Sequence, residues 1–307
     1  MKRCIIICGP TASGKTEFAH KFALKARGEI INADSMQLYK QIPIITASPS
    51  ADLKAELPYY LYNFYDVTEN FSATKYVEMA SSKVRQIEER GNLPIIVGGT
   101  GLYIDMLIKG YHHMPEIEPQ LRVNVAALQA EYGNKKLYQE LVENDPDIKH
   151  KLLENDTQRI IRAYEILIQT GKSILHYQKQ DKYLPIPEFL FEIYYLVPER
   201  NFLYATCNER FVHLFNHGAL EEVRELINAY PNLTTTASKA LGVKQIADYL
   251  RGKINRNAAI SEASTLTRRY AKRQCTWFNN QLTEKQVVKF GSKGEYMKQI
   301  NNLLDKL

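Results

Sequence analysis

Cysteine is scarce in this chain, with four in 307 residues, at positions 4, 8, 207 and 275. Spread in this way they supply no disulfide framework, and Cys4 and Cys8 have no second pair to complete a zinc site. All four are expected as reduced structural thiols. No apolar run approaches the roughly 20 residues needed to cross a bilayer, and strand-like sequence begins too close to Met1 to leave room for a signal peptide. A soluble, cytoplasmic monomer with no membrane partner is the expectation. Low-complexity tracts and internal repeats are also lacking. What is present, 45% hydrophobic and 24% charged residues, suffices for one large or two modest globular domains. The formal charge of +6 suits a polyanionic partner, but its placement along the chain carries more information than its size.

The most specific pattern is Gly9-Pro10-Thr11-Ala12-Ser13-Gly14-Lys15-Thr16, set between the apolar run 4–8 and a helical segment. It matches the phosphate-binding loop G-x-x-x-x-G-K-[ST]. The glycines let the backbone curl so that successive amides face phosphate oxygens, and the following helix adds the partial positive charge of its N-terminus. Lys15 brings a mobile full charge, and the Thr16 hydroxyl is placed to ligate magnesium. A diphosphate or polyphosphate ligand is therefore expected, of unspecified kind.

Apolar runs at 4–8, 29–32, 93–97 and 189–197 read as strands, with helices at 15–26 and from a Ser72 cap to about Arg90. This alternation predicts an α/β fold, a P-loop-type parallel sheet flanked by helices. Residues 41–70 read as loops and short strands around a tyrosine cluster. Between Gly110 and Phe189 the sequence is helical and bracketed by Pro115, Pro119, Pro185 and Pro187. The expected division is a core of 1–112 with 188–307 and an all-helical insertion at 113–187, large enough to move as a unit. From Tyr204 onward the chain reads as helical again, with a break at Pro231, a helix from Ile260 to about Leu282 and a short terminal helix at 296–307.

Four places carry candidate chemistry. Asp34 ends the second strand beside the phosphate loop, where a carboxylate serves as a magnesium ligand, a general base or a helix cap. The strand at 93–97 ends in Gly-Gly-Thr where nucleotide hydrolases of this loop type carry a metal-binding Asp, which weakens an ATPase reading. Thr100 either offers its hydroxyl to a phosphate or substrate atom or simply follows a tight turn. Arg159 and Arg162 lie one helical turn apart, as a phosphate grip requires. Arg268, Arg269, Lys272 and Arg273 fall within an arc of about 140° on a helix, opposite Tyr270, Ala271, Trp277 and Phe278, and such a stripe favours a nucleic-acid backbone. Trp277 reads as a packing anchor, and His112-His113 as hinge surface.

Taken together, GPTASGKT, INADSMQLY, NFSATKY, LPIIVGGTGLYI, NDTQRIIRAYE and TRRYAKRQCTWF resemble, in order and spacing, the tRNA dimethylallyltransferases, also called tRNA isopentenyltransferases. The resemblance spans residues 4 to about 280. It implies transfer of a dimethylallyl group from dimethylallyl diphosphate to the N6 amine of the adenosine on the 3′ side of the anticodon, with Mg2+ required and the anticodon arm of tRNA as partner. It places the general base on Asp34, the diphosphate on residues Gly9 to Thr16 and on Arg210, and Thr100 in the reaction channel, with Lys15 also counted as catalytic and Thr16 as the metal ligand. It implies tRNA contacts at Asp34, Ser35, Met36, Gln37, Thr100, Arg122, Gln158, Arg159, Ile160, Ile161, Arg162, Arg268, Arg269, Lys272, Arg273 and Gln274. Three positions depart from the family pattern: Tyr59-Tyr60 replace a His-His pair, Ser48 a lysine, and Val243 a tyrosine.

Competing expectations are a free-nucleotide (adenylate) isopentenyltransferase, a P-loop small-molecule kinase and an RNA-binding adaptor with a degenerate loop. The insertion and the basic helix argue against the first. Intact Lys15, Thr16 and Asp34 argue against the last.

Overall fold

The computed structural model describes residues 2–307. Six strands, β1 (Lys2–Cys8), β2 (Gly28–Asn32), β3 (Tyr59–Tyr60), β4 (Leu93–Gly98), β5 (Phe189–Pro198) and β6 (Gln286–Phe290), form one sheet in the order β3-β2-β4-β1-β5-β6. All pairings are parallel. The first strand is central, with Ile6 opposite Ile96 on one side and Ile193 on the other. Residues 4–8 are all buried, which is why they read as an unbroken apolar run: both faces of an inner parallel strand are covered by helices.

Helices α1 (Lys15–Ala26), α2 (Ala51–Glu56) and α3 (Ala73–Glu89) connect the first four strands, and α4 (Gly101–Lys109) follows β4. Ser72 caps α3 by accepting from the Lys75 amide, as the sequence led one to expect. Helices α5 (Pro119–Asn144), α6 (Thr157–Thr170) and α7 (Ile174–Gln178) make up the helical region before β5. After β5 come α8 (Arg200–Leu214), α9 (Leu220–Ala229), α10 (Val243–Leu250), α11 (Arg256–Gln281) and α12 (Lys293–Leu304).

The chain divides into two compact units, one running up to Ile108 and resuming at Pro185–Leu307, the other Lys109–Leu184. The smaller unit begins and ends a few residues before the expected 113–187. The physical reason is a two-way backbone pairing, Tyr111 N–H to Tyr183 O at 3.1 Å and Tyr183 N–H to Tyr111 O at 2.9 Å, which ties both ends of the segment to each other. The smaller unit has its own core of Val125, Leu137, Leu141, Ile148, Ile160, Ala163, Tyr164 and Leu175.

Two elements go beyond the sequence reading. Residues 286–290 form an edge strand in the stretch left unassigned between the helix ending near Leu282 and the terminal helix; Val288 and Phe290 turn inward and Val287 outward, a period-two pattern too short to stand out between two helices. Helix α2 lies within the stretch read as irregular, and none of its six residues is buried, so no apolar periodicity announces it. The three departures from the family pattern have structural roles. Tyr60 donates to Glu29 Oε2 at 2.6 Å on the sheet edge, Ser48 Oγ accepts from Asn63 at 3.0 Å, and Val243 packs in the core beneath α9 and α10.

Candidate active site

The loop after β1 curls through Gly14, whose φ of +81° lies in the left-handed region. Only glycine suits this point, because a β-carbon would also lie 2.9 Å from the ring of Tyr296. The Tyr296 hydroxyl donates to Gly14 O at 2.9 Å, so α12 braces the loop from behind. Lys15 emerges at the start of α1, and its ammonium donates to Pro10 O at 3.2 Å. Desolvation pushes the Lys15 pKa down to about 8, against the opposing pull of the Asp34 carboxylate.

At the end of β2 the chain turns sharply. Asp34 N–H donates to Asn32 Oδ1 at 2.8 Å, and Asp34 Oδ1 accepts from the Met36 amide at 3.0 Å. Thr100 holds the next residue: its Oγ1 accepts from Ser35 N–H at 2.9 Å and donates to Ser35 Oγ at 3.3 Å. Gln37 then donates to Thr46 O and Ala47 O at 3.0 and 2.9 Å. Loop 44–45 is fixed from the other side by Glu222, whose two carboxylate oxygens each accept a backbone amide at 2.7 Å.

These parts surround a cavity of ≈ 250 Å³ whose walls include Thr11, Lys15, Thr16, Asp34, Met36 and Gln37. Arg210, Lys239 and Arg273 join Lys15 there, and Asp34 is the one carboxylate among the lining residues. The same walls carry Ile45, Phe211, Leu214 and Leu241. Four cations against one carboxylate make the cavity receptive to a polyanion, and the aliphatic and aromatic side chains suit a short apolar group attached to it.

Sequence reasoning missed Lys239, Tyr296 and the apolar wall. One signal was available for the wall: Cys207, Arg210, Phe211 and Leu214 follow i, i+3, i+4, i+7 spacing and share a face of α8. Tyr296 and Lys239 carry no such signal, since their contacts come from distant elements.

Several expected site residues sit elsewhere. Thr100 is not among the residues of the cavity wall; its hydroxyl is bonded to Ser35, next to Asp34. Gln274 is buried at 6% exposure, which corrects its reading as a tRNA contact. Ile160 is fully buried in the insertion's own core, and so is a packing residue; Ile161 is half-buried against the same core. Arg162 pairs with Glu165 at 3.5 Å and donates to Pro115 O at 3.0 Å, so its side chain serves the local fold. Arg122, Gln158 and Arg159 are exposed, Arg159 with a loose partner in Asp156 at 3.2 Å. On α11, Arg269, Lys272 and Arg273 are exposed, while Arg268 turns inward and donates to Asn208 and Thr265. The stripe therefore presents three free-facing cations, not four. Arg273 stacks on Tyr270 at 5.6 Å.

Among the described residues no group of three or more His, Cys, Asp and Glu side chains could hold a metal. Magnesium bound through phosphate oxygens and waters needs only one or two protein ligands, and Thr16 and Asp34 line the same cavity. The residues fit a cation carried in with a diphosphate. No helix among the described residues is long and apolar enough to cross a membrane.

The Lys15 pKa makes a prediction. A diphosphate in this cavity would favour the charged form of Lys15 and raise its pKa, so affinity is expected to fall as pH rises through about 8. The terminal phosphate of a diphosphate ester is already ionised above about pH 7, so the change belongs to the protein. Calorimetric titration with an allylic diphosphate between pH 7 and 10 should show Kd rising by up to roughly tenfold per pH unit above 8, with Lys15→Ala weak and flat. A flat wild-type profile would reject this.

Comparison with known proteins gives concordant results. Residues 37–281 match the family model described as IPP transferase. The chain is 47% identical over 296 residues to the tRNA dimethylallyltransferase of Rickettsia bellii, covering 96% of this chain and 94% of that one. A solved tRNA isopentenylpyrophosphate transferase from Staphylococcus epidermidis superposes with a TM-score of 0.68 at 29% identity, covering 100% of this chain and 99% of that one. A eukaryotic dimethylallyltransferase solved in the act of modifying tRNA gives a TM-score of 0.82 at 26% identity, covering 99% of this chain and 77% of that one.

Proposed function

Because this chain belongs to the IPP transferase family, we propose that it transfers a dimethylallyl group from dimethylallyl diphosphate to the N6 amine of the adenosine 3′ of the anticodon in tRNA, releasing diphosphate. The observation that carries the donor assignment is the cavity in which Lys15, Arg210, Lys239 and Arg273 share walls with Ile45, Phe211, Leu214 and Leu241. A diphosphate with a five-carbon apolar tail presents both kinds of surface.

The adenine amine is a weak nucleophile because its lone pair is delocalised into the ring. As N6 attacks C1 of the allylic group, the C1–O bond breaks and its electron pair leaves with the diphosphate. The N6 proton passes to Asp34, which the Asn32 and Met36 hydrogen bonds hold beside Lys15. Lys15 and Arg210 stabilise charge that grows on the leaving group. Thr16 would hold magnesium, which would supply further neutralisation of the diphosphate. Arg269, Lys272 and Arg273 on α11, with Arg122 and Arg159 of the insertion, are the proposed phosphate contacts of the tRNA.

The test is incubation with radiolabelled dimethylallyl diphosphate and magnesium in the presence of tRNA, of AMP, or of neither. Label is expected in tRNA only. Label in AMP at a comparable rate would favour the free-nucleotide activity, and label in neither would reject the proposal.

A further inference from the structure

Gln274 sits on α11 one residue after Arg273, pointing inward where Arg273 points out. Its carboxamide spans two loops. Oε1 accepts from Thr11 N–H in the phosphate loop at 2.8 Å, and Nε2 donates to Gly99 O, just past the end of β4, at 2.8 Å. A neutral primary amide is the side chain that offers an acceptor and donors from one planar group. Space has been kept for it: a β-carbon on Gly99 would lie 2.3 Å from Nε2. The two loops it joins belong to the adjacent central strands β1 and β4. One carries Lys15 and Thr16, and the other carries Thr100, which in turn fixes Ser35 next to Asp34.

We infer that Gln274 is a positioning residue for donor binding and transfer, holding the phosphate loop in its ligand-ready curl from the same helix that carries Arg269, Lys272 and Arg273. The inference rests on the proposed function for what is transferred, but its physical content is independent of it. Thr11 N–H is a loop amide, and Thr11 lines the cavity. Pinning that amide before the ligand arrives means that the loop need not be ordered during binding or while charge builds on the leaving group. Without the carboxamide, Thr11 N–H and the buried Gly99 O lose their partner, and the loop must move to satisfy them. Lys15, four residues along, moves with it.

The experiment compares wild type with Gln274→Leu, which lacks both hydrogen bonds, and Gln274→Glu. The glutamate can still accept from Thr11 N–H but sets a carboxylate oxygen against Gly99 O. Three readouts are taken: the Kd of inorganic pyrophosphate with magnesium, the Kd of tRNA, and the kcat and donor KM of transfer. Both variants are expected to bind pyrophosphate roughly tenfold more weakly and to show raised donor KM and lowered kcat. Their tRNA Kd should stay within about twofold of wild type, in contrast to Arg273→Ala, which removes a phosphate contact. Thermal unfolding screens out variants that fail to fold; should Leu fail, Glu, which is nearly isosteric, decides. Unchanged pyrophosphate affinity in a folded variant overturns the inference, as does a loss of tRNA affinity matching Arg273→Ala. If wild type transfers nothing while both variants still weaken pyrophosphate binding, the proposed reaction falls and the role of Gln274 stands.

Discussion

Asp34→Asn is expected to bind dimethylallyl diphosphate as tightly as wild type, within a few fold, and to transfer the group to tRNA slower by roughly two to four orders of magnitude. Asparagine retains an oxygen for the Met36 amide, so the turn after β2 should survive. What it lacks is the capacity to take a proton from a neutral amine. Removing a negative charge beside Lys15 works in the opposite direction on binding, since repulsion of the diphosphate is relieved. A lowered kcat with unchanged or lowered donor KM is therefore the signature of a base, whereas a large rise in donor Kd would mark a metal ligand. Near-normal single-turnover rates would reject both roles.

Excision of the smaller unit has the second large effect. The pairing of Tyr111 with Tyr183 brings its two connections side by side, so a short Gly-Ser linker from Ile108 to Pro185 should close the gap. The remaining unit keeps its own cores around β1 and beneath α9 and α10, along with every residue of the cavity wall. The shortened protein should fold and bind pyrophosphate near the wild-type Kd, yet bind tRNA on the order of a hundredfold more weakly as the proposed contacts at Arg122 and Arg159 are removed. Filter binding at several salt concentrations measures this. Full tRNA affinity and turnover after excision would show that the insertion has no part in recognition.

Much of the core was legible because single-element signals sufficed. An unbroken apolar run announces an inner strand, a Ser72 cap announces α3, and eight consecutive residues announce a phosphate loop. The place of Asp34 beside the phosphate loop was legible from its position at a strand end. What stayed hidden depends on partners remote in sequence. Gln274 looked like one more polar residue on a basic helix, because nothing local reveals that Thr11 and Gly99 lie beneath it. The bond between Thr100 and Ser35 is likewise made between the ends of two strands and leaves no local mark in the sequence. Arg268 shares the arc of its neighbours, yet Asn208 on α8 draws it inward. Helical angle alone ranks positions around an axis and cannot say where the next helix covers them.

The braces of the phosphate loop also set an order in time. The loop is made long before its supports: β1 pairs with β4 and β5, and the side chains that grip its loop, Gln274 and Tyr296, lie 263 and 282 residues from their partners in it. Until β5 emerges the central strand lacks a neighbour, and until α11 and α12 emerge the nascent chain carries a glycine-rich loop without its supports. Such long-range closure is slow and leaves strand edges open in the interval. The insertion, whose core is drawn wholly from residues 125–175, can settle while the rest waits. Synthesis should therefore yield a folded helical unit first and a competent phosphate site only once α12 has emerged, with the loop after β1 depending on helices made long after it.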